Sequence, residues 1–305
     1  MCALEYAIDV GGTKIAFAIV DGAHLLAHDA RPTSGESAQS QMEAIGPLLA
    51  EMARQLGVAP KAIGISLPGP VLAGTLAHAP NMPPGWIGST VGDFSRWLDL
   101  QAPVVAQRDA LMGGLGEYAF GAGRGRFTFA YLTLGTGIGG GLIVDGEPLL
   151  GKNGAAGEIG HLSVSRTGPR CSCGRLGCVE AIASGTAIAK QYLAKSRKAL
   201  DAAAVAARAR AGDRLAQVVY RQAGEALGAG LAAWAQVANP ELVVVGGSLA
   251  QSLDLLRPGM ERVLNKRAWA ANLPLPIVPA ELGGPAPLIG AAWAAHQAVV
   301  TGRTT

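Results

Sequence analysis

Charge is what this chain is shortest of. Asp, Glu, Lys and Arg make up 15% of its 305 residues and balance to +3 at neutral pH. So small an excess leaves no electrostatic footprint for a polyanion, and no nucleic-acid partner is expected. Half of the residues are hydrophobic, which excludes a disordered chain and suffices, at this length, for a large core and two domains. The opening residues, MCALEYAIDV, hold neither a basic region nor a cleavage site, so no signal peptide is expected. A GxxxxGK[ST] loop is also missing, so phosphates must be held by something other than a Walker-type turn. An uncharged run, residues 127–144, has the length of a membrane span. Five glycines and three threonines interrupt it, and a glycine-rich hairpin is the better reading. The expectation is a cytoplasmic protein with no membrane partner.

Cysteine is scarce too. Three of the four cysteines fall in one stretch, GAAGEIGHLSVSRTGPRCSCGRLGCVEAIAS, from 154 to 184. His161, Cys171, Cys173 and Cys178 follow one another at steps of 10, 2 and 5 residues. Three thiolates and an imidazole are a usual closed set for tetrahedral zinc, and Gly168, Pro169, Gly174 and Gly177 supply bends that let a short loop wrap a metal. The alternatives are buried small hydrophobes or disulfides. Three cysteines cannot all pair among themselves, and a C-x-C is too close for an easy bridge. Glu158 and Glu180 flank the cluster, match no ligand need of a closed site, and are expected to face a substrate. Free thiols fit a reducing compartment.

Glycine, by contrast, is plentiful and patterned. Residues 6–20 read as strand, glycine turn, strand, and Asp21-Gly22 gives a further turn. Gly135 lies 124 residues after Gly11, and at that offset Ile19-Val20-Asp21-Gly22 falls on Ile143-Val144-Asp145-Gly146. This internal repeat predicts two lobes that open with the same hairpin. Backbone N–H groups at such turns hold phosphate oxygens. A helical period marks 39–56, with Pro47 as a kink or a new first turn. Residues 62–67 read as a buried strand. Residues 78–86, HAPNMPPGW, read as an irregular loop, in which Asn81 and Trp86 either line a pocket or serve structure. A strand at 104–106 runs into Gln107-Arg108-Asp109, with a helix after it. Asp109 is then either a plain N-cap or a carboxylate kept ionised by the helix dipole. Alanine-rich helices are predicted at 186–210 and 213–237, a buried strand at 242–245, a glycine-opened helix at 246–248, and a last apolar helix at 288–299.

Together these motifs resemble the ROK family of sugar kinases and sugar-responsive repressors. D-V-G-G-T-K at 9–14 resembles its first phosphate motif, and L-G-T-G-I-G-G-G at 134–141 its second. G-E-I-G-H at 157–161 and C-S-C-G-R-L-G-C-V-E at 171–180 resemble its zinc signature, and G-G-S-L at 246–249 its adenosine motif. The resemblance implies a two-lobed, actin-like (ribonuclease H-like) α/β ATPase fold with a cleft between the lobes. A small lobe would comprise 1–112 plus 288–305, closed by the last helix. A large lobe, 113–287, would carry the zinc and adenosine motifs. It implies ATP-dependent phosphorylation of a hexose, first glucose at O6, with N-acetylmannosamine, N-acetylglucosamine, mannose and fructose as alternatives. Asp109 resembles the catalytic base. Asn81, Glu158, His161 and Glu180 resemble sugar ligands, and Arg108, next to the base, is placed with them. Asp9, Gly11, Gly12, Thr13, Lys14, Gly135, Thr136, Gly137, Gly246 and Gly247 would hold ATP, with Mg²⁺ near Asp9. His161 would bind structural Zn²⁺ with the three cysteines and use its other ring nitrogen on the sugar. A homodimer is implied as well.

The chain departs from the family pattern where Arg108 and Leu111 stand in place of asparagines around the base. A guanidinium donates but cannot accept, so Arg108 either faces the sugar or turns to a surface carboxylate. Family repressors place a DNA-binding module before the first glycine motif. Only eight residues precede Asp9 here, which favours the kinase; a sugar-binding protein without activity is the remaining rival.

Overall fold

The computed structural model describes residues 4–79, 82–83 and 85–302. In chain order the elements begin with β1 (Leu4–Val10), β2 (Lys14–Asp21), β3 (His24–Pro32), α1 (Ala38–Leu56) and β4 (Ile63–Leu67). Next come β5 (Val71–Leu72), β6 (Thr75–Leu76), α2 (Val91–Leu98), β7 (Val104–Arg108), α3 (Asp109–Phe120), β8 (Thr128–Leu134), β9 (Ile138–Val144) and β10 (Glu147–Pro148). Then follow α4 (Val179–Ala183), α5 (Gly185–Ser196), α6 (Ala202–Arg210), α7 (Arg214–Ala238), β11 (Leu242–Gly246), α8 (Leu253–Arg267), β12 (Ile277–Pro279) and α9 (Ala286–Thr301). No helix among the described residues is long and apolar enough to cross a membrane; the uncharged run at 127–144 forms β8 and β9.

The chain divides into two compact units. One takes the described residues up to 125, with 143–156 and 281 onward; the other takes 126–142 and 157–280. The first unit therefore includes all of α3 and a later excursion at 143–156, both beyond the small-lobe limits read from sequence. The reason lies in α3, whose partner is α9. At their crossing a Cβ on Gly290 would fall 1.7 Å from the Met112 carbonyl oxygen, and one on Gly116 would fall 2.6 Å from that of Ala286. Two glycines let the helices touch backbone to backbone, so α3 cannot belong to a different body from α9.

The sheet of the first unit runs β3-β2-β1-β4-β7. β1 pairs with β2, and β2 with β3, antiparallel; β1, β4 and β7 are parallel. β4, IGISL, and β7, VVAQR, are buried along their whole length, as strands covered on both faces are. β3 is an edge strand with most side chains exposed. Met42, Ile45 and Leu49 of α1 bury against Ile8, Phe17 and Ile65 of the sheet. Pro47 neither breaks nor restarts α1, which runs through it from its Ser37 cap to Gly57, in the left-handed region at φ 66°.

The second unit repeats the plan. β8, β11 and β12 are parallel neighbours, with β9 beside β8. The strand bounds obey the repeat seen in sequence, since β8 starts 124 residues after β1 and β9 starts 124 residues after β2. α7 lies along α8 and against α4, α5 and α6. The single helix expected over 186–210 is two helices. α5 ends at Arg197, in the left-handed region at φ 59°, and Asp201 accepts from the Ala204 N–H to start α6. An aspartate that can cap a new helix outcompetes continuation of the old one.

Glu117 fastens α3 to the segment before α9. Its side chain is fully buried and accepts from the N–H groups of Ala122 (2.8 Å), Glu281 (3.1 Å) and Leu282 (2.8 Å). Replacing Glu117→Ala strands three main-chain donors at about 1–3 kcal/mol each before relaxation. The expected outcome is a thermal midpoint lowered by roughly 6–12 °C, measured by differential scanning fluorimetry; a shift below about 2 °C would show that water replaces the carboxylate at no cost.

Candidate active site

The first glycine turn joins β1 to β2. The Gly11 N–H donates to the Lys14 carbonyl at 2.9 Å, and the Thr33 hydroxyl donates to the Gly11 carbonyl at 2.5 Å. Gly12, Thr13 and Lys14 are exposed at its tip. Asp9 stands just before the turn. Parallel register sets it opposite Ser66 of β4, whose hydroxyl donates to Asp9 Oδ1 at 2.6 Å. Desolvation pushes the Asp9 carboxyl above the usual range, against the Ser66 hydrogen bond and the Lys14 charge. A nearby cation would therefore be needed to keep it firmly ionised. Ser66 was not singled out in the sequence. The signal for it is a lone hydroxyl in an otherwise apolar buried strand.

The same register continues to β7, where Ser66 lies opposite Gln107 and Leu67 opposite Arg108. Asp109 follows as the first residue of α3. It is half-buried, and its Oδ1 accepts from the Ala110 N–H at 2.7 Å. Asp9 and Asp109 thus leave the carboxyl-terminal edge of one parallel sheet two strands apart, about 10 Å at the ordinary strand spacing. Arg108 is not at the surface. It is 2% exposed, and its Nη2 donates to the Ala156 carbonyl.

In the second unit, the turn between β8 and β9 closes one residue earlier than the first, with the Gly135 N–H donating to the Gly137 carbonyl at 3.0 Å. Neighbouring segments hold it. The Gly185 N–H donates to the Gly135 carbonyl at 2.8 Å, and the Thr186 hydroxyl to the Thr136 carbonyl at 2.9 Å. Beside it opens a cavity of about 540 Å³, lined among others by Gly135, Thr136, Lys190, Asp201, Arg210 and Ser248. Gly246 and Gly247 end β11 nearby. Gly247 has φ 83°, and a Cβ there would fall 2.3 Å from the Leu134 carbonyl oxygen, so only glycine fits. Lys190, Asp201 and Arg210 were not read from sequence, because it takes the packing of α5 on α6 to bring them together.

The His/Cys cluster forms as expected. The ligand atoms of His161, Cys171, Cys173 and Cys178 all lie within 4.8 Å of one another. Cys171 Sγ is 3.6 Å from His161 Nδ1, and Cys173 Sγ is 3.6 Å from Cys178 Sγ. Sulfurs about 2.3 Å from a tetrahedral ion sit about 3.8 Å apart, so these residues fit a zinc-sized cation. Two turns make the approach possible. The Cys171 N–H donates to the Arg175 carbonyl at 2.8 Å, and Gly177, at φ 66°, backs onto the Ser165 carbonyl, where a Cβ would fall 1.9 Å away. Without a cation the thiols differ sharply. Desolvation, helped by the neighbouring sulfurs, pushes Cys178 up to about 12. Cys173 resists its desolvation and is drawn down to about 6 by the Arg175 N–H and the other two sulfurs. A dication removes that conflict by ionising all three.

Glu158 precedes the short 3₁₀ turn Ile159–His161, and His161 ends it. With His161 Nδ1 toward the sulfurs, Nε2 is the nitrogen left for another partner. Glu180 follows Cys178 on α4. Both of its oxygens have partners: Oε2 accepts from the Ile138 N–H at 3.0 Å and lies against Gly137, and Oε1 is 3.9 Å from Cys171 Sγ. Glu180 thus ties the metal-ligand loop to the second glycine turn. Asn81 lies outside the described residues. Trp86, its companion in the loop, is fully buried in the first core.

A family profile described as "ROK family" matches residues 5–298, and the chain belongs to that family. It is 32% identical over 286 residues to a kanosamine kinase of Amycolatopsis mediterranei, covering 93% of each chain. It is 33% identical over 278 residues to a glucokinase of Thermotoga maritima, covering 85% of this chain and 86% of that one. A ROK family glucokinase from Streptomyces griseus, solved in complex with glucose and AMPPNP, superposes with a TM-score of 0.82 at 32% identity, over 97% of this chain and all of the other. The fold is the two-lobed actin-like ATPase fold that the motifs implied.

The cluster predicts one tightly held metal ion per chain. Elemental analysis of protein purified without added metal is expected to find about one equivalent, and Cys178→Ser to lower it below about a tenth. A native chain that is fully folded with negligible metal would show that the four groups are not ligands.

Proposed function

We propose that the protein transfers the γ-phosphoryl group of ATP to a hexose hydroxyl, with glucose phosphorylated at O6 as the first candidate. What supports this reading most is the edge of the first sheet. Ligands of parallel α/β sheets bind outside the carboxyl ends of the strands, and there Asp9, beside the phosphate turn, and Asp109 stand about two strand spacings apart. One carboxylate serves the phosphate end and the other the hydroxyl. The named relatives and the glucose–AMPPNP complex agree with it.

In the proposed reaction Asp109 orients the hydroxyl and accepts its proton as the oxygen attacks the γ-phosphorus. The bond from that phosphorus to the β–γ bridging oxygen breaks, leaving ADP and a sugar phosphate. A hydroxyl is a weak nucleophile at neutral pH, and most of the acceleration comes from positioning and charge neutralisation. Gly11, Gly12, Thr13 and Lys14 hold phosphate oxygens, as do Gly135, Thr136 and Gly137. Gly246 and Gly247 let the nucleoside approach main chain closely, beside the cavity that takes the base. Asp9 would hold the shell of a Mg²⁺ ion, which would offset the phosphate charge. Glu158, His161 Nε2, Glu180 and Asn81 hold sugar hydroxyls. The cluster metal is Zn²⁺, chosen by its sulfur and imidazole donors, and its work is structural. A homodimer working in a reducing, cytoplasmic compartment completes the proposal.

The test is an ADP-release assay with ATP across glucose, mannose, fructose, N-acetylglucosamine, N-acetylmannosamine and kanosamine. The expected outcome is turnover strongest with glucose. Asp109→Asn is expected to lower kcat by about 10²–10⁴-fold, while sugar affinity by calorimetry stays within about threefold. Retention of more than about a tenth of kcat would rule out the base role.

A further inference from the structure

Taking the second glycine turn as a holder of phosphate, as proposed above, we infer that Glu180 is a positioning residue for the nucleotide. Its carboxylate fixes the last peptide of that turn, so nucleotide binding depends on it apart from any contact with sugar. The carboxylate and the turn lie in the same compact unit. A planar trans peptide moves as one plate, and holding either its C=O or its N–H orients both. The turn between β8 and β9 has three such plates, each held from residues 180–186. The Gly135 carbonyl accepts from the Gly185 N–H at 2.8 Å, and the Thr136 carbonyl from the Thr186 hydroxyl at 2.9 Å. These two bonds turn the N–H groups of Thr136 and Gly137 away from the start of α5. The third plate, between Gly137 and Ile138, is held through its N–H, which donates to Glu180 Oε2 at 3.0 Å. Its carbonyl closes the turn by accepting from the Gly135 N–H.

Of the three anchors only Glu180 brings a charged acceptor, and such bonds are about twice as strong as neutral ones. The turn has need of it, because Gly135 and Gly137 lack the Cβ that would restrict their own backbone. Gly137 is not in the left-handed region, so its φ does not call for glycine. Space does: a Cβ on Gly137 would fall 2.7 Å from Glu180 Oε2. Glycine at 137 is what admits the carboxylate. Glu180 itself is well placed to act as an anchor. It stands in the first turn of α4, two residues after Cys178, the N-cap of that helix. The Val179 N–H ties the helix start to the Leu162 carbonyl at 3.0 Å. Oε1 lies 3.9 Å from Cys171 Sγ, so one carboxylate spans the His/Cys cluster and the turn.

Four variants test this by calorimetric titration with ADP and Mg²⁺ in the absence of sugar, with the metal content of each protein measured alongside. They are Glu180→Ala, which removes the acceptor; Glu180→Gln, which keeps a carbonyl oxygen at full reach; Gly137→Ala; and the Gly137→Ala, Glu180→Ala double variant. Glu180→Ala is expected to raise the Kd for ADP about tenfold, with the metal retained, and Glu180→Gln to stay within about threefold of the native chain. Gly137→Ala is expected to raise it about as much, because its methyl group displaces the carboxylate. In the double variant the Kd is expected to match that of Glu180→Ala within twofold, since no carboxylate remains to be displaced. A Kd within twofold of native for Glu180→Ala, a Glu180→Gln as weak as Glu180→Ala, or multiplying effects in the double variant would overturn the inference. So would a rise that comes with loss of the metal, which assigns the effect to the loop. Should Glu180→Ala fail to fold, Glu180→Asp takes its place, keeping the charge but one methylene too short to reach the Ile138 N–H. The two readings fail separately: a native chain that does not bind ADP defeats the phosphate role of the turn, whereas native binding left unchanged in the Glu180 variants defeats only the positioning role.

Discussion

Three thiols and an imidazole crowded within 4.8 Å are a constraint before they are a site. Sulfurs this close repel as soon as two of them ionise, and only a cation turns the repulsion into attraction. The loop they close has little else to hold it. Ser172, Cys173, Gly174 and Arg175 are exposed, and apolar anchoring comes from Ile159 and Val179 at its two ends. Yet this loop carries Glu158, His161 and Glu180, and through Glu180 it reaches the Ile138 N–H and the second glycine turn. Ligation, more than burial, therefore decides the shape of the part proposed to grip the sugar.

What could be read in the sequence divides by range. The metal cluster was legible because all four ligands fall within 18 positions, and the glycine turns because only glycine allows backbone to approach phosphate. The break between α5 and α6 was also local, and the aspartate that caps α6 marks it. Glu117 gave no signal, since its partner Leu282 lies 165 residues away. Ser66 finds Asp9 57 residues away through a register that no periodicity announces. β3 escaped notice because an exposed edge strand, HLLAHDARP, has no buried face to impose alternation. Asp109 stood out from an ordinary N-cap only through the motifs around it.

The internal repeat shows the same division. The two sheets share one strand plan, three parallel strands with a hairpin at the side of the first, but only the hairpins are in register in the sequence. β4 begins 59 residues after β1 begins and pairs with it from Tyr6↔Ile63, whereas β11 arrives only after α4, α5, α6 and α7 have intervened. The later strands need only be apolar, so nothing holds their residues to a common pattern. The turns, where main chain faces phosphate, allow far less choice.

α9 lies beyond the whole second unit in sequence, yet it packs on β1, β4 and α3 of the first. A Cβ on Gly64 of β4 would fall 1.9 Å from the Ala291 carbonyl oxygen, so the helix lies directly on the sheet. A chain emerging from the ribosome makes the first unit's sheet early and the helix that covers it last. Until then one face of that sheet has no partner, while the second unit, made of 126–142 and 157–280, can close as soon as Ala280 is made. Synthesis order and folding order are thereby reversed: the part of the protein that is made first is the part that is finished last.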